Sequence, residues 1–218
     1  MNYTNSNAYI KELYAFLEDN GIDKNTFLTI NNIDKYIETS IDGYSGYPLF
    51  LKIFNGKYNK RILKKLMGVD YKSRLNNAVG ISSSPNYESV MIVIPPNAKK
   101  IGMSDYFKIA CPSDYTLLLK PCMYRQEKYE KYSEKKRMPY IDNNTWYIYV
   151  FATKKEFQRQ GYGKKIMNLF LAYIDNNNYN LCLETDLEDN IVMYEKFGFR
   201  TVDVSVYRDT LKHYVMIR

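Results

Sequence analysis

Hydrophobic spacing changes partway along the chain, and the change divides it. In residues 7–19, NAYIKELYAFLED, Ile10, Leu13, Tyr14 and Leu17 recur at intervals that put them on one face of a helix ending before Gly21. A second helix is predicted over Lys24–Thr39 with Asp23 as its N-cap. The next stretch, IDGYSGYPLF, reads as a loop because Gly43, Gly46 and Pro48 crowd into it; Ser45 is followed directly by Gly46, so it is no nucleophile elbow. Lys60–Met67 is helix-compatible. Strand spacing then takes over: Asn77–Ser83 and Ser89–Ile94, separated by SPNYE and closed by Pro95 and Pro96, predict an antiparallel hairpin. Residues 122–137, CMYRQEKYEKYSEKKR, place tyrosines at helical spacing amid dense charge, which predicts a solvated helix with a tyrosine face.

From Trp146 the pattern sharpens. WYIYVFAT is β-branched and aromatic and apolar on both faces, which predicts a strand in the middle of a sheet. A glycine-bearing loop, KKEFQRQGYG, leads into a helix, KKIMNLFLAYID, with Ile166, Leu169, Phe170 and Tyr173 on one side. NLCLET is a further strand, DNIVMYEKF a short helix stopped by Gly198, and FRTVDVSVY and HYVMI are two closing strands. That order makes an α/β domain with a sheet part parallel and part antiparallel.

Composition narrows the function classes. The 218 residues, 45% hydrophobic and 25% charged, are enough for one domain around a sizeable core and too few for two full ones. The net charge of +7 raises nucleic acid as a partner, but the basic residues are scattered along the whole chain, so none is expected. Cys111, Cys122 and Cys182 are odd in number and lack metal-type spacing, and the lone His213 is far in sequence from any ligand cluster; no metal site, disulfide framework or Ser-His-Asp triad is expected. The opening MNYTNSNAYIKEL has neither a basic region followed by an apolar stretch nor a membrane-length span, so a cytoplasmic protein with no membrane partner is expected.

Candidate chemistry sits in the glycine-bearing loop before the helix KKIMNLFLAYID. Gly161 and Gly163 lie between a strand and a helix, where glycine permits a tight turn and free N–H groups face an anion, assisted by the helix dipole. A pyrophosphate suits such a turn, with Arg159, Lys164 and Lys165 as charges at its rim. It is not a Walker loop, which would have glycine at Gln158 and Ser or Thr at Lys165, nor a Rossmann fingerprint, which would have glycine at Ile166.

The run Gln158, Arg159, Gln160, Gly161, Tyr162, Gly163 and Lys164, preceded by WYIYVFAT, resembles the coenzyme A pyrophosphate loop of the GNAT acyltransferases. A second block, LETDLEDNIVMYEKFGF over Leu183–Phe199, resembles the family's next strand and helix: an Asn, a Tyr four residues on, then Gly-Phe. The similarity spans Asn144–Arg218, and the combination of WY before the strand, LET, Asn, YE, GF and a closing aromatic-x-Met strand looks closest to the puromycin N-acetyltransferase-like branch. Thr153, Lys154 and Lys155 stand where the family often has Val-x-Pro. The fold implied is a mixed, mostly antiparallel central sheet with helices on both faces. It would form a single domain: a helical part over 1–75, a hairpin and charged helix over 76–140, and an acetyl-CoA-binding core over 141–218.

The activity implied is N-acetyl transfer from acetyl-CoA straight to the amine of a small molecule or protein. The neutral amine attacks the thioester carbonyl, and the tetrahedral adduct expels coenzyme A. By the same match Tyr194 protonates the leaving thiolate, Asn190 bonds the pantetheine arm or orders the helix start, and the backbone N–H groups of Phe151, Ala152 and Thr153 hold the arm and the developing oxyanion. An alkyl amine of pKa ~10.4 needs a base. Glu184, near the end of an apolar strand where burial would raise its pKa, is the candidate, with a substrate-positioning or ion-pair role as the alternative. Trp146 packs, or walls the amine pocket. Two other readings remain open: a non-catalytic acyl-CoA-binding module that kept the loop, and a nucleic-acid binder using the 122–137 helix. A dimer is compatible with either.

Overall fold

In the computed structural model, which describes residues 6–111, 115, 117 and 119–218, strands β1 (Val79–Ser82), β2 (Ser89–Ile94), β3 (Thr145–Thr153), β4 (Asn180–Thr185), β5 (Arg200–Tyr207) and β6 (Leu211–Ile217) form one sheet of order β1-β2-β3-β4-β6-β5. β3 and β4 are parallel and every other pair is antiparallel. A parallel pair needs a crossover, and helix α7 (Tyr162–Asn176) supplies it. The sheet is thus mixed and mostly antiparallel, with β3 in its middle, as the sequence predicts.

Both faces are covered. On one, α1 (Ser6–Asp19) and α7 bury Leu13, Leu17, Ile166 and Phe170 against Met91, Val93, Trp146 and Ile148. On the other, α2 (Ile33–Gly43), α3 (Pro48–Ile53) and α4 (Lys60–Arg74) bury Ile37, Ile41, Phe50 and Leu66 against Val90, Ile92 and Val150. Helix α5 (Met103–Ile109) lies beyond α4.

Strand β3 breaks its own alternation. Ile92 faces Val150 and Val93 faces Ile148, so Tyr149 is an extra residue with no partner on β2, a β-bulge. Because side chains alternate with period two, one inserted residue switches every later side chain to the other face. Trp146 and Ile148 accordingly point to the α1–α7 side, whereas Val150 and Ala152 point to the α2–α4 side together with Tyr149.

Three local expectations are corrected. The helix predicted over Lys24–Thr39 is divided: Lys24–Thr26 is a 3₁₀ turn, which Asp23 caps through Asn25 N–H at 2.9 Å, and α2 begins only at Ile33. The Asn32 side chain enforces the break by accepting from Thr29 N–H at 2.8 Å and donating to Phe27 O at 2.7 Å, bonds that fold residues 27–32 into a turn. The IDGYSGYPLF stretch is not all loop, since α2 runs to Gly43 and Pro48, at a first helical position, opens α3. A Cβ on Gly43 would come within 2.9 Å of Thr153 O, so this glycine lets α2 end against β3. Finally, α6 (Pro121–Arg137) forms as a helix but is not simply solvated: Cys122, Met123, Tyr129 and Ser133 are buried.

Gly80 in β1 tests this packing. A Cβ there would sit 2.2 Å from Leu28 Cβ, so Gly80→Ala must displace the 27–32 turn, and overpacking of this kind costs about 1–3 kcal/mol. Urea denaturation is expected to show that loss with an unchanged m-value; stability equal to the parent would mean that the turn does not sit on β1.

Candidate active site

β3 and β4 pair only from Thr145↔Asn180 to Ile148↔Leu183. Beyond that point the bulge carries β3 away, and the strands splay around a small cavity of about 40 Å³ lined by Tyr44, Tyr47, Phe151, Glu184, Asn190 and Tyr194. Tyr194 enters from α8 (Asp189–Glu195), which Gly198 terminates at φ +85°. Its side chain is buried, with the ring centroid 6.5 Å from that of Phe151 and 5.8 Å from that of Phe199. Burial, helped by the Tyr44 phenol, pushes its pKa well above the ordinary tyrosine value, so it holds its proton throughout the neutral range. Asn190 donates to Thr185 Oγ1 at 3.0 Å, tying α8 to the end of β4; it does not cap the helix, whose N-cap position is Glu188.

The Phe151 N–H points into this slot but carries a partner already, donating to Tyr44 Oη at 3.2 Å. Burial pushes the Tyr44 pKa up to about 12. Ala152 and Thr153 continue β3 in register with Val90 and Ser89.

The candidate phosphate turn lies past the end of β3. Arg159 and Gly161 both adopt left-handed conformations, at φ +63° and +90°, and α7 begins at Tyr162. The N–H groups of Tyr162, Gly163 and Lys164 belong to the first turn and have no carbonyl behind them; the first internal bond is Lys165 N–H to Gly161 O at 2.9 Å. A Cβ on Gly163 would lie 3.1 Å from Phe151 Cζ and 3.2 Å from Thr153 Oγ1, so only a residue without one lets the helix start lie against β3. Two side chains of the run bond back to the chain: Gln158 to Thr153 O at 3.3 Å and Gln160 to Glu156 O at 2.7 Å. Lys165 reaches Ser83 O at 3.2 Å. The turn therefore offers backbone donors at a helix N-terminus beside a slot leading inward, an arrangement that fits a diphosphate with an attached arm.

A larger cavity, about 150 Å³, shares Tyr44, Tyr47, Tyr149 and Glu184 with the slot. Glu184 organises its wall. Its Oε2 accepts from Ser133 Oγ at 2.7 Å, Arg137 at 2.7 Å and Tyr147 Oη at 2.6 Å. Its Oε1 lies 3.6 Å from His213 Nε2, an ion-pair distance. His213 Nδ1 is 3.0 Å from Asp186 Oδ1, which also accepts from Tyr129 Oη at 2.6 Å. Burial should raise the Glu184 pKa, as the sequence suggests, but Arg137 and His213 outweigh it and hold the carboxyl at about 2. The expected upward shift is thereby reversed. Burial also works against the His213 imidazolium, yet Asp186 and Glu184 hold its pKa at about 9.

Tyr194, Glu184, Asn190 and Phe151 come together around the slot, with the 158–164 turn beyond it. Trp146 does not wall the cavity: it points to the other face of the sheet, edge-on to Phe170 and Tyr173 at 5.8 and 5.7 Å. Sequence reasoning missed Tyr44, Tyr47, Asp70, Tyr129, Glu130, Tyr147, Tyr149 and Asp186 as wall residues, and His213 as the buried partner behind Asp186. One signal was available: Gln126, Tyr129, Glu130, Ser133 and Arg137 recur at helical spacing, a polar face on α6 that turns inward.

His213 gives the site a pH signature. A folded-state pKa raised to about 9 from an ordinary ~6.5 means that its contribution to stability is complete below pH ~6.5 and lost as pH rises through about 9. The melting temperature is expected to fall across that window, and less steeply in His213→Gln; a wild-type curve flat from pH 6.5 to 9.5 would contradict the buried ion pair.

Comparison with known proteins follows the same geometry. A family model described as acetyltransferase (GNAT) domain matches residues 136–218. No curated protein matches the sequence. Among solved structures, the histone acetyltransferase HPA2 and related acetyltransferase of Corynebacterium glutamicum aligns with a TM-score of 0.57 at 16% identity, covering 88% of this chain and 94% of that one. Arylalkylamine N-acetyltransferase 2 from Aedes aegypti aligns at 0.58 and 13% identity, covering 88% and 97%. The C-terminal condensation domain of Ebony, in complex with beta-alanyl-dopamine, aligns at 0.60 and 7% identity, covering 88% and 96%. At such identities the likeness is one of fold, and it extends well beyond the matched domain into the N-terminal helices. Residues 136–218 thus match an acetyltransferase (GNAT) domain, within a chain that shares the fold of these acetyltransferase structures over most of its length.

Proposed function

We propose that this protein is a single-domain N-acetyltransferase that passes an acetyl group from acetyl-CoA directly to the amine of a small molecule or a protein. The observation that carries the reading is the splay of β3 from β4: it opens a slot with helix-terminal N–H donors at one end, the Tyr194 phenol inside and an acid-lined cavity at the other. The motif pattern supports a place near the puromycin N-acetyltransferase-like branch.

The N–H groups of Tyr162, Gly163 and Lys164 would hold the diphosphate, with Arg159 at the rim. Bound there, acetyl-CoA supplies a thioester for the amine to attack. Tyr194 keeps its proton until sulfur leaves and donates it there, and the phenolate then takes the proton that the acylated nitrogen sheds; a thiolate expelled into the same buried slot is disfavoured by the same desolvation, so a high phenol pKa does not forbid the transfer. Glu184, ionised and saturated with donors on Oε2, is a poor base and serves as the positioning residue that fixes Tyr147, Arg137 and Ser133.

A binding module without transfer is favoured by one contact, the Tyr44 hydroxyl on the Phe151 N–H that an acyl arm would use. Thiol release separates the two readings. Acetyl-CoA at a hundred times its Kd is expected to stabilise the fold by about 2.7 kcal/mol, read as a raised melting temperature, and an unshifted curve at millimolar acetyl-CoA would defeat both. Tyr194→Phe is expected to lower kcat on the order of 10²-fold with acetyl-CoA binding retained; undiminished turnover would remove Tyr194 from the mechanism.

A further inference from the structure

The larger cavity has two ends of different character. Glu184 borders both the slot and this cavity; Asp186, Asp70 of α4 and Gln126 and Glu130 of α6 line this cavity alone, the last three forming the end away from the slot. Four carboxylates thus face one enclosed space, and three have a cation within ion-pair distance: Asp70 has Arg74 at 3.0 Å, Glu184 has Arg137 at 2.7 Å, and Asp186 has His213 at 3.0 Å. Glu130 has no ion pair among the described residues. Among the described residues its side chain accepts from the Gln126 amide at 3.0 Å. Burial first, then the charge of Asp70, raises its pKa, and the Arg74 guanidinium, paired with Asp70, offsets them only in part.

An independent atom asks for a donor in the same space. Gln126 Oε1 is buried with no hydrogen-bond partner among the described residues, whereas Glu184 Oε1 already has His213 Nε2 at 3.6 Å. An unsatisfied buried acceptor beside a carboxylate without an ion pair matches an ammonium, which brings three N–H donors and a charge. Between the ends the wall is aromatic, and its hydroxyls are already engaged: Tyr149 with Asp70, Tyr71 with Ser40, Tyr47 with the Asp186 N–H. What such rings leave for a ligand is surface suited to methylenes and to the face of a cation.

We propose that the acceptor is a small dibasic amine, one nitrogen held as an ammonium by Glu130 and Gln126 while the other reaches the slot beside Tyr194. The proposal rests on the acetyltransferase reading for which nitrogen reacts, but not for the binding of the cation. The reacting nitrogen must be neutral to attack, so the lone negative charge at the far end is answered by the second nitrogen. Chain length then decides whether both ends are met at once.

The test compares 1,4-diaminobutane with 1-aminobutane and 4-amino-1-butanol on the full chain. In calorimetry without acetyl-CoA, the diamine is expected to bind at least tenfold tighter than either monoamine, and Glu130→Gln to reduce that ratio to near one; Gln126→Leu should reduce it partly. With acetyl-CoA present, the same ratio should appear in kcat/KM. Equal affinity of the three amines for the wild-type protein overturns the proposal whether or not the variants fold. Diamine-selective binding with no acetyl transfer would instead defeat the enzymatic reading and leave the ammonium site standing.

Discussion

One extra residue in β3 shapes everything at the functional end of this protein. Tyr149 has no partner on β2, and its insertion both switches the strand's later side chains to the opposite face and ends hydrogen bonding to β4 after Ile148 and Leu183. Without it the parallel pair would continue, and there would be no gap between the strands. With it, backbone that would have been spent on the ladder faces a slot. The bulged residue is itself secured, since the Tyr149 hydroxyl bonds Asp70 at 2.7 Å and the Arg74 guanidinium lies 3.9 Å from its ring centroid.

A slot between strands has to be walled, and the polar wall is built around Glu184. This carboxylate draws on four elements: β4 carries it, α6 brings Ser133 and Arg137, β3 brings Tyr147 and β6 brings His213. A buried ion network of this kind is weak as a source of net stability, because desolvation offsets much of the attraction, but removing one member leaves an uncompensated charge. Its worth is geometric. It holds α6 across the open edge of the splayed strands, and α6 in turn presents Gln126, Tyr129 and Glu130 to the cavity. The opposite wall comes from the N-terminal helices through Tyr44 and Tyr47, which bond Phe151 and the end of β4. The slot thus draws its Tyr194 and its helix-terminal N–H groups from the C-terminal part of the chain, while the cavity wall is shared with helices far away in sequence.

The C-terminal half was legible because its signals are local. WYIYVFAT, Gly161 and Gly163, LET and the Asn-to-Tyr spacing each lie within one element or one turn, and each kept its predicted place. The N-terminal helices were less so: Asn32 broke a predicted helix through side-chain bonds to backbone, and Pro48 started a helix where glycines suggested a loop. Helix α6 was placed correctly but its role was not, because charge interleaved with tyrosine reads as solvent-facing unless the carboxylates and hydroxyls it will meet are known.

By itself the sequence determined the order of the strands, the helices of the C-terminal half and the position of the turn beside α7, since period-two and period-3.6 patterns and glycine turns act over a few residues. Tertiary structure alone decided that Glu184 is held ionised rather than raised in pKa, that His213 is paired rather than idle, and that Glu130 has no ion pair among the described residues. A pKa depends on which charges lie within a few ångströms, and those neighbours, Arg137 and His213 for Glu184 or Asp70 for Glu130, are brought together only when the sheet closes and α6 lies across it.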